Sequence, residues 1–192
     1  MNKEDNHKEK FKQALISTIK VISDDYRIIK EKKNQSSENI NFFELDNLSN
    51  RHDFIRFRAE ADSEALKKKF SNKEIYKNYL PNNSSYKTLY DISEKIRYEM
   101  LGSKMLKGIS KNLCENYNQK LNLKRKDQLK SKEDVNVVEA FEIYMLKNFL
   151  NVKLNEISSK ILGFWEEEFN SSMKKHINFL HNNVENQEAY NS

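Results

Sequence analysis

Two charged patterns near the middle of the chain combine residue types that can do chemistry. The first is R-x-x-x-D-x-x-A-L, formed by Arg58, Asp62, Ala65 and Leu66. The second is Y-D-x-x-E-x-x-R-x-E-x-L-G, formed by Tyr90, Asp91, Glu94, Arg97, Glu99, Leu101 and Gly102. On helices, Glu94 and Arg97 are i, i+3 neighbours and Asp91 and Lys95 are i, i+4 neighbours. Exposed pairs of that kind contribute only about 0.2–0.5 kcal/mol each. A stronger use is a polar network. Arg97 follows Ile96 and Glu94 lies two residues after Ile92, so both sit at the edge of an apolar face. An arginine there can bury its stem and offer a forked guanidinium to two carboxylates, Asp62 and Glu94. Arg58, Asp62, Asp91, Glu94, Arg97 and Glu99 are therefore the candidate site, read as a structural network or a partner surface. A catalytic carboxylate pair ranks last, because no nucleophile or cofactor motif accompanies it.

Other chemistry is sparse. His176 and His181 are five apart and miss the i, i+4 spacing of a helical metal site, and His7 and His52 have no Cys or His companion. There is no G-x-x-x-x-G-K-[ST] phosphate loop and no G-x-S-x-G elbow. The single cysteine, Cys114, follows the apolar Leu113 and reads as a buried thiol rather than a nucleophile. No catalytic residue, metal ligand or cofactor site is expected in this chain.

The elements that must position the charged patterns read as helices. Three glycines and one proline leave few tight turns in 192 residues. Phe11, Leu15, Ile19 and Ile22 make a stripe on a first helix from about residue 9 to 23. Two short Ile-, Phe- and Tyr-rich runs at 26–45 read as a small β-hairpin. A long helix is expected from about residue 50 to 79, with Phe54, Phe57, Ala61 and Ala65 as its apolar stripe and Leu66 and Phe70 beside it, ended by Pro81. Ser84 or Ser85 would cap the next helix, about residues 86 to 101, with Leu89, Ile92, Ile96 and Met100 inward. Gly102 is placed as its left-handed C-terminal cap. Ser103 would cap a helix from 104 to about 121, with Leu106, Ile109, Leu113 and Tyr117 inward and Gly108 inside it at a close helix–helix approach. S-K-E-D at 131–134 resembles a capping box for a helix carrying Val135, Val138, Phe141, Met145 and Phe149. Two further helices carry Ile157, Ile161 and Trp165, then Phe169, Met173, Ile177 and Leu180. Residues 184–192 are expected to fray. The fold class is mainly α, a multi-helix bundle with a small β-hairpin near residues 26–45, in one domain spanning 1–192.

Composition adds limits. The net charge of +5 is concentrated at 116–132, where six basic residues face Asp127. A nucleic-acid or acidic partner would fit such a segment, but groove-binding motifs are absent and a solvated, flexible loop is the simpler reading. Asn occurs 25 times beside abundant Lys and Ile, which reads as AT-rich coding bias. No run of about 18 apolar residues is present, so no membrane span is expected. The N-terminus lacks the apolar core of a signal peptide, and the lone cysteine suits a reducing cytoplasm.

The two charged patterns together resemble the N-terminal region of the T subunit of aerobic cobaltochelatase, the CobT family. That family's first segment reads approximately R-G-x-x-D-S-x-A-L, matched by Asp62-Ser63 and Ala65-Leu66. Its second reads approximately F-D-x-x-E-x-x-R-x-E-x-I-G, followed by another glycine and N-N-L, matched from Tyr90-Asp91 through Gly102, Gly108 and Asn112-Leu113. Phe11–Ala14 and Phe164-Trp165 agree more loosely. Two departures stand out. Where the family tends to carry His-Asp and a later His, this chain has Ser71-Asn72 and Tyr76. The family's acidic linker and von Willebrand A-like domain, with its D-x-S-x-S metal site, have no counterpart in this sequence, so the match is to the N-terminal domain.

The resemblance implies a non-ATPase accessory subunit acting with an AAA+ ATPase S subunit and, through the complex, with a large N subunit that holds the corrin during cobalt insertion. ATP, magnesium and cobalt would be used by the complex, none bound by this chain. No nucleic acid and no membrane would be involved, and self-association stays open. An alternative keeps the family but makes the chain the adaptor of an AAA+ and von Willebrand A-type remodelling chaperone pair outside cobalamin synthesis.

Overall fold

A computed structural model describes residues 3–24, 50–123 and 129–192. Among these are nine α-helices and one short 3-10 turn. The helices are α1 (Lys3–Ser23), α2 (Arg51–Phe70), α3 (Lys73–Asn78), α4 (Ser84–Met105), α5 (Lys107–Asn122), α6 (Val137–Phe149), α7 (Glu156–Gly163), α8 (Glu166–Asn182) and α9 (Gln187–Asn191). The mainly α class holds. The expected hairpin at 26–45 lies outside the described residues, as do Lys124, Arg125 and Lys126 of the lysine-rich loop.

Helices α2, α4 and α5 pack on one another, α1 lies along α2, and α6 lies against α4. Most of the expected stripe residues enter a single contiguous core, with Leu15, Ile19, Phe57, Ala61, Leu66, Ile96, Leu113, Ile143, Met145 and Ile161 all nearly free of solvent. Phe54 and Leu106, expected inward, are 39% and 48% exposed because each lies at or beside a helix start, outside the packed faces. Ala61 and Ala65 are fully buried on α2, as small residues at a close helix contact must be.

Asparagine is the recurrent start signal. Asn50, Asn72, Asn83, Asn136, Asn155 and Asn186 are the N-caps of α2, α3, α4, α6, α7 and α9, each side chain accepting from a first-turn backbone N–H. A short side-chain oxygen satisfies one of the orphan donors that every helix start exposes. The asparagine abundance thus has a structural use. Several expected boundaries move accordingly. Asn83, not Ser84 or Ser85, caps α4. The S-K-E-D segment forms the 3-10 turn Lys132–Asp134, and α6 starts later on Asn136.

The long helix expected over 50–79 is two helices. Its chain leaves α-geometry at Ser71 (φ −110°, ψ 117°) and restarts on Asn72. Residues 116–122 are the last turns of α5, in keeping with the helix expected to about residue 121, and with Asn116, Tyr117 and Leu121 buried they do not belong to a solvated loop starting at 116. Residues 184–192 are not frayed: Val184, Gln187 and Tyr190 are buried, and α9 packs on α3.

Neither glycine of the α4–α5 region has its expected role. Gly102 is inside α4, which runs on to Met105, and the left-handed backbone positions are instead Asp24 and Asn151, just beyond α1 and α6. Ser103 caps nothing, since Leu106 is the N-cap of α5. A Cβ on Gly102 would fall 2.3 Å from Leu66 Cδ2 and 2.8 Å from its Cγ. Gly102 is therefore the close approach of α4 to α2. Gly108, expected in that role, has nothing within 4 Å. Gly102→Ala should destabilise the fold by roughly 1–3 kcal/mol through overpacking against Leu66. Gly108→Ala should stabilise it by about 0.5–1 kcal/mol by removing backbone freedom. Urea unfolding of both variants checks the pair, and equal effects would refute the assignment.

Candidate functional site

The charged residues of the signature are mostly inside the protein. Asp62, Glu94, Arg97 and Glu99 are each at most 3% exposed. The inward face of α4 is thus partly ionic: Glu94, Arg97, Tyr98, Glu99 and Gly102 are buried with Ile96, whereas Leu89, Ile92 and Met100 are only partly covered.

Arg97 is the largest of the fully buried side chains. Its Nε donates to Glu94 Oε2 at 2.8 Å and its Nη2 to Glu94 Oε1 at 2.9 Å, a two-pronged ion pair within one turn of α4. Nη2 also donates to the Phe70 carbonyl at 2.5 Å, and Nη1 to the Val184 carbonyl at 3.2 Å. Tyr190 lies beneath the guanidinium, its ring centre 6.0 Å from Cζ, and bonds to Ser93. Glu94 is closed from the other side, where Oε1 accepts from Ser71 Oγ at 2.6 Å and Gln187 Nε2 at 3.0 Å. Gln187 reads the backbone of Asn72, accepting from its N–H at 2.6 Å and donating to its carbonyl at 3.2 Å. One arginine and one glutamate thereby fasten the end of α2, the 71–72 break, the middle of α4 and the 184–190 segment.

Two further carboxylates have their own partners. Glu99 accepts from Ser63 Oγ on α2 and from the Tyr117 hydroxyl on α5, both at 2.6 Å. Burial, then the nearby Glu99 charge, hold the Tyr117 phenol well above its ordinary range, so it donates as a neutral hydroxyl. Asp62 accepts from Asn112 Nδ2 of α5 at 2.6 Å, while Arg58 Nε stays 3.8 Å away. Asp62 Oδ1 and Arg58 Nε are buried without a hydrogen-bond partner. The single network expected to join Asp62 to Arg97 is separated into these units: Asp62 bonds to α5, and Arg97 bonds to Glu94 and two carbonyls. Asp91 is exposed and receives the Tyr76 hydroxyl, and Tyr90 donates to the Tyr76 carbonyl at 3.0 Å. Desolvation, reinforced by Glu94, pushes the Tyr90 phenol up to about 12.

Chemically, this arrangement holds elements together. Every oxygen of Glu94 and Glu99 is engaged by protein donors, and Arg97 is enclosed, so none is free to meet a substrate. Among the described residues no group of His, Cys, Asp and Glu is placed to hold a metal ion. His181 is stacked on Phe149 with ring centres 4.1 Å apart. Cys114 faces the Leu150 carbonyl at 3.7 Å, and burial raises its thiol pKa, which disfavours the nucleophilic thiolate.

Sequence reasoning missed Ser71, Asn72, Gln187 and Tyr190 as members of the site. For Ser71 and Tyr76 a signal was present: they stand where the chain departs from the pattern it resembles, and they bond to Glu94 and Asp91. Gln187 had none, since it lies 93 residues from Glu94 in a polar tail.

The described residues form an all-α unit whose buried ionic side chains join its helices. The profile described as "Cobalamin biosynthesis protein CobT" matches residues 5–192, and the chain belongs to that family, which gives it a role in cobalamin biosynthesis. No solved structure matches.

Asp62 generates a pH prediction. Burial outweighs the Asn112 bond and the Arg58 charge and raises its pKa above 3.8. The folded state then binds the proton more tightly than the unfolded state, so stability falls as pH rises from 3.8 through the raised value. At neutral pH the ionised carboxylate opposes folding. Asp62→Asn keeps an acceptor for Asn112 without the buried charge. At pH 7 it should be at least as stable as the parent, with the advantage shrinking towards pH 4. Asp62→Ala should lose about 1–3 kcal/mol by orphaning Asn112. Urea titrations across pH check this, and Asp62→Asn less stable than the parent at pH 7 would refute it.

Proposed function

We propose that this chain is a non-ATPase accessory subunit, acting as the N-terminal interaction domain, of an ATP-dependent aerobic cobaltochelatase that inserts cobalt into the corrin ring in the cytoplasm. The observation that carries the reading is the family match over nearly the whole chain. The geometry supports an interaction role over a catalytic one, because the ionic residues of the signature are consumed in joints between helices. In this reading ATP and magnesium belong to an AAA+ S subunit, cobalt is the substrate ion, and the corrin is held by a large N subunit.

A second reading, an adaptor of an AAA+ remodelling pair outside cobalamin synthesis, draws on the departures at Ser71-Asn72 and Tyr76. These residues are spent on holding Glu94 and Asp91, which removes the histidines the resembled pattern carries there.

Association with the cognate AAA+ subunit in the presence of ATP, measured by sedimentation velocity, tests the interaction role. The expected result is a co-sedimenting complex, with no ATP turnover by this chain alone. Cobalt insertion reconstituted with the N and S subunits should require this chain. Association without any dependence of cobalt insertion on it would favour the remodelling adaptor, and no association would overturn both readings.

A further inference from the structure

The joint between α4 and α5 exposes apolar and cationic side chains side by side. Only Leu106 separates the two helices, in extended backbone (φ −139°, ψ 118°). Residues 104–108 are all exposed, and two of them are large and apolar: Met105 is 40% exposed and Leu106 48%. Lys104 and Lys107 flank them, and Lys111 follows one turn on. From Met100 to Cys114 the sequence contains no Asp or Glu. None of the three lysines has an ion-pair partner among the described residues, and with no acidic residue from 100 to 114 the joint has no local counter-charge on its own stretch of chain. Gly108 adds open space beside Lys107 instead of a side chain.

A surface that exposes Met and Leu while leaving three neighbouring cations unpaired is complementary to a segment with both apolar and acidic side chains. The apolar pair supplies burial, and the lysines supply attraction and orientation. A nucleic-acid backbone would use the lysines but gain nothing from Met105 and Leu106. A bilayer would take the lysines, yet two side chains at a helix joint offer little to insert beside the long apolar face of an interfacial helix.

We infer that the exposed α4–α5 joint, Lys104 to Lys111, is a docking surface for an acidic, apolar segment of a protein partner. This rests on the reading of the chain as an interaction module, and not on which complex it serves.

The test uses the full chain and a fluorescein-labelled helical peptide of alternating glutamate and leucine turns, read by fluorescence anisotropy. A lysine–leucine counterpart serves as control. The expected result is binding of the acidic peptide only, weakened by salt, with slowed amide exchange confined to 104–111. Changing Lys104, Lys107 and Lys111 together to Glu should weaken it about tenfold or more, as reversed charges oppose the acidic partner. The double change Met105→Ser, Leu106→Ser should weaken it without altering its salt dependence. Changing Lys73, Lys77 and Lys87 to Glu should leave it unchanged. All these positions are exposed, and a melting curve for each variant confirms the fold. Equal loss from both lysine sets, or no binding, would overturn the proposal. Binding only to phosphatidylserine-containing vesicles or to a single-stranded oligonucleotide would also overturn it, in favour of those ligands. If the chain binds its AAA+ partner but the 104/107/111 variant binds equally well, this surface is wrong while the interaction role stands. If the unaltered chain does not bind that partner, the proposed function fails instead.

Discussion

A fully buried guanidinium sets the terms for much of this fold. Arg97 cannot shed its charge, and its five N–H donors must find acceptors inside the protein. Glu94, one turn away, satisfies two of them and neutralises the charge. The others need carbonyl oxygens, and carbonyls within a regular helix are already committed to their own ladder. Free ones occur where helices stop. Phe70 is the last residue of α2, and Val184 follows the end of α8. The break at Ser71-Asn72 and the return of the chain at 183–187 thus bring helix-end carbonyls to the guanidinium. A pair of this kind gains little net stability over an apolar substitute, but breaking it by removing one partner costs about 3–5 kcal/mol. Its geometry selects one arrangement of segments that lie up to 117 residues apart in sequence.

The same logic repeats at smaller scale along the α2–α4–α5 contact. Ser63, Glu99 and Tyr117 join all three helices through one carboxylate, and Asp62 with Asn112 joins α2 to α5. Gly102 lets α4 approach Leu66 closely enough for these bonds to form. Directional bonds at several depths resist rotation or sliding of one helix over another, which apolar packing alone permits.

Much of this was legible in the sequence, and the failures share a cause. The stripes of α1, α6 and α8 were readable because apolar side chains at helical spacing report burial directly. The residue set of the signature was readable as well, since arginine among spaced acids is an unusual pattern. Its depth was not: charged residues on α4 were placed at the rim because a lone charge belongs near water, and the bonds that permit burial come from Ser71, Val184 and Gln187, far away in sequence. The break at 71–72 was hidden for the same reason, as Ser-Asn in a helical run gains its meaning only from Glu94 and Gln187. That Gly102, and not Gly108, makes the close approach was not legible, because the sequence does not say which glycine meets a neighbouring helix.

The buried ion pair and the 184–190 segment depend on each other. A double-mutant cycle with Arg97→Lys and Gln187→Ala, read by urea unfolding, measures that dependence. Lysine keeps the charge but cannot reach Glu94 and two carbonyls at once, so the segment that Gln187 anchors should already be loosened in the single variant. The double variant is expected to lose less than the sum of the two singles, by about 1–3 kcal/mol. Additivity within about 0.5 kcal/mol would mean that the two are independent and would contradict it.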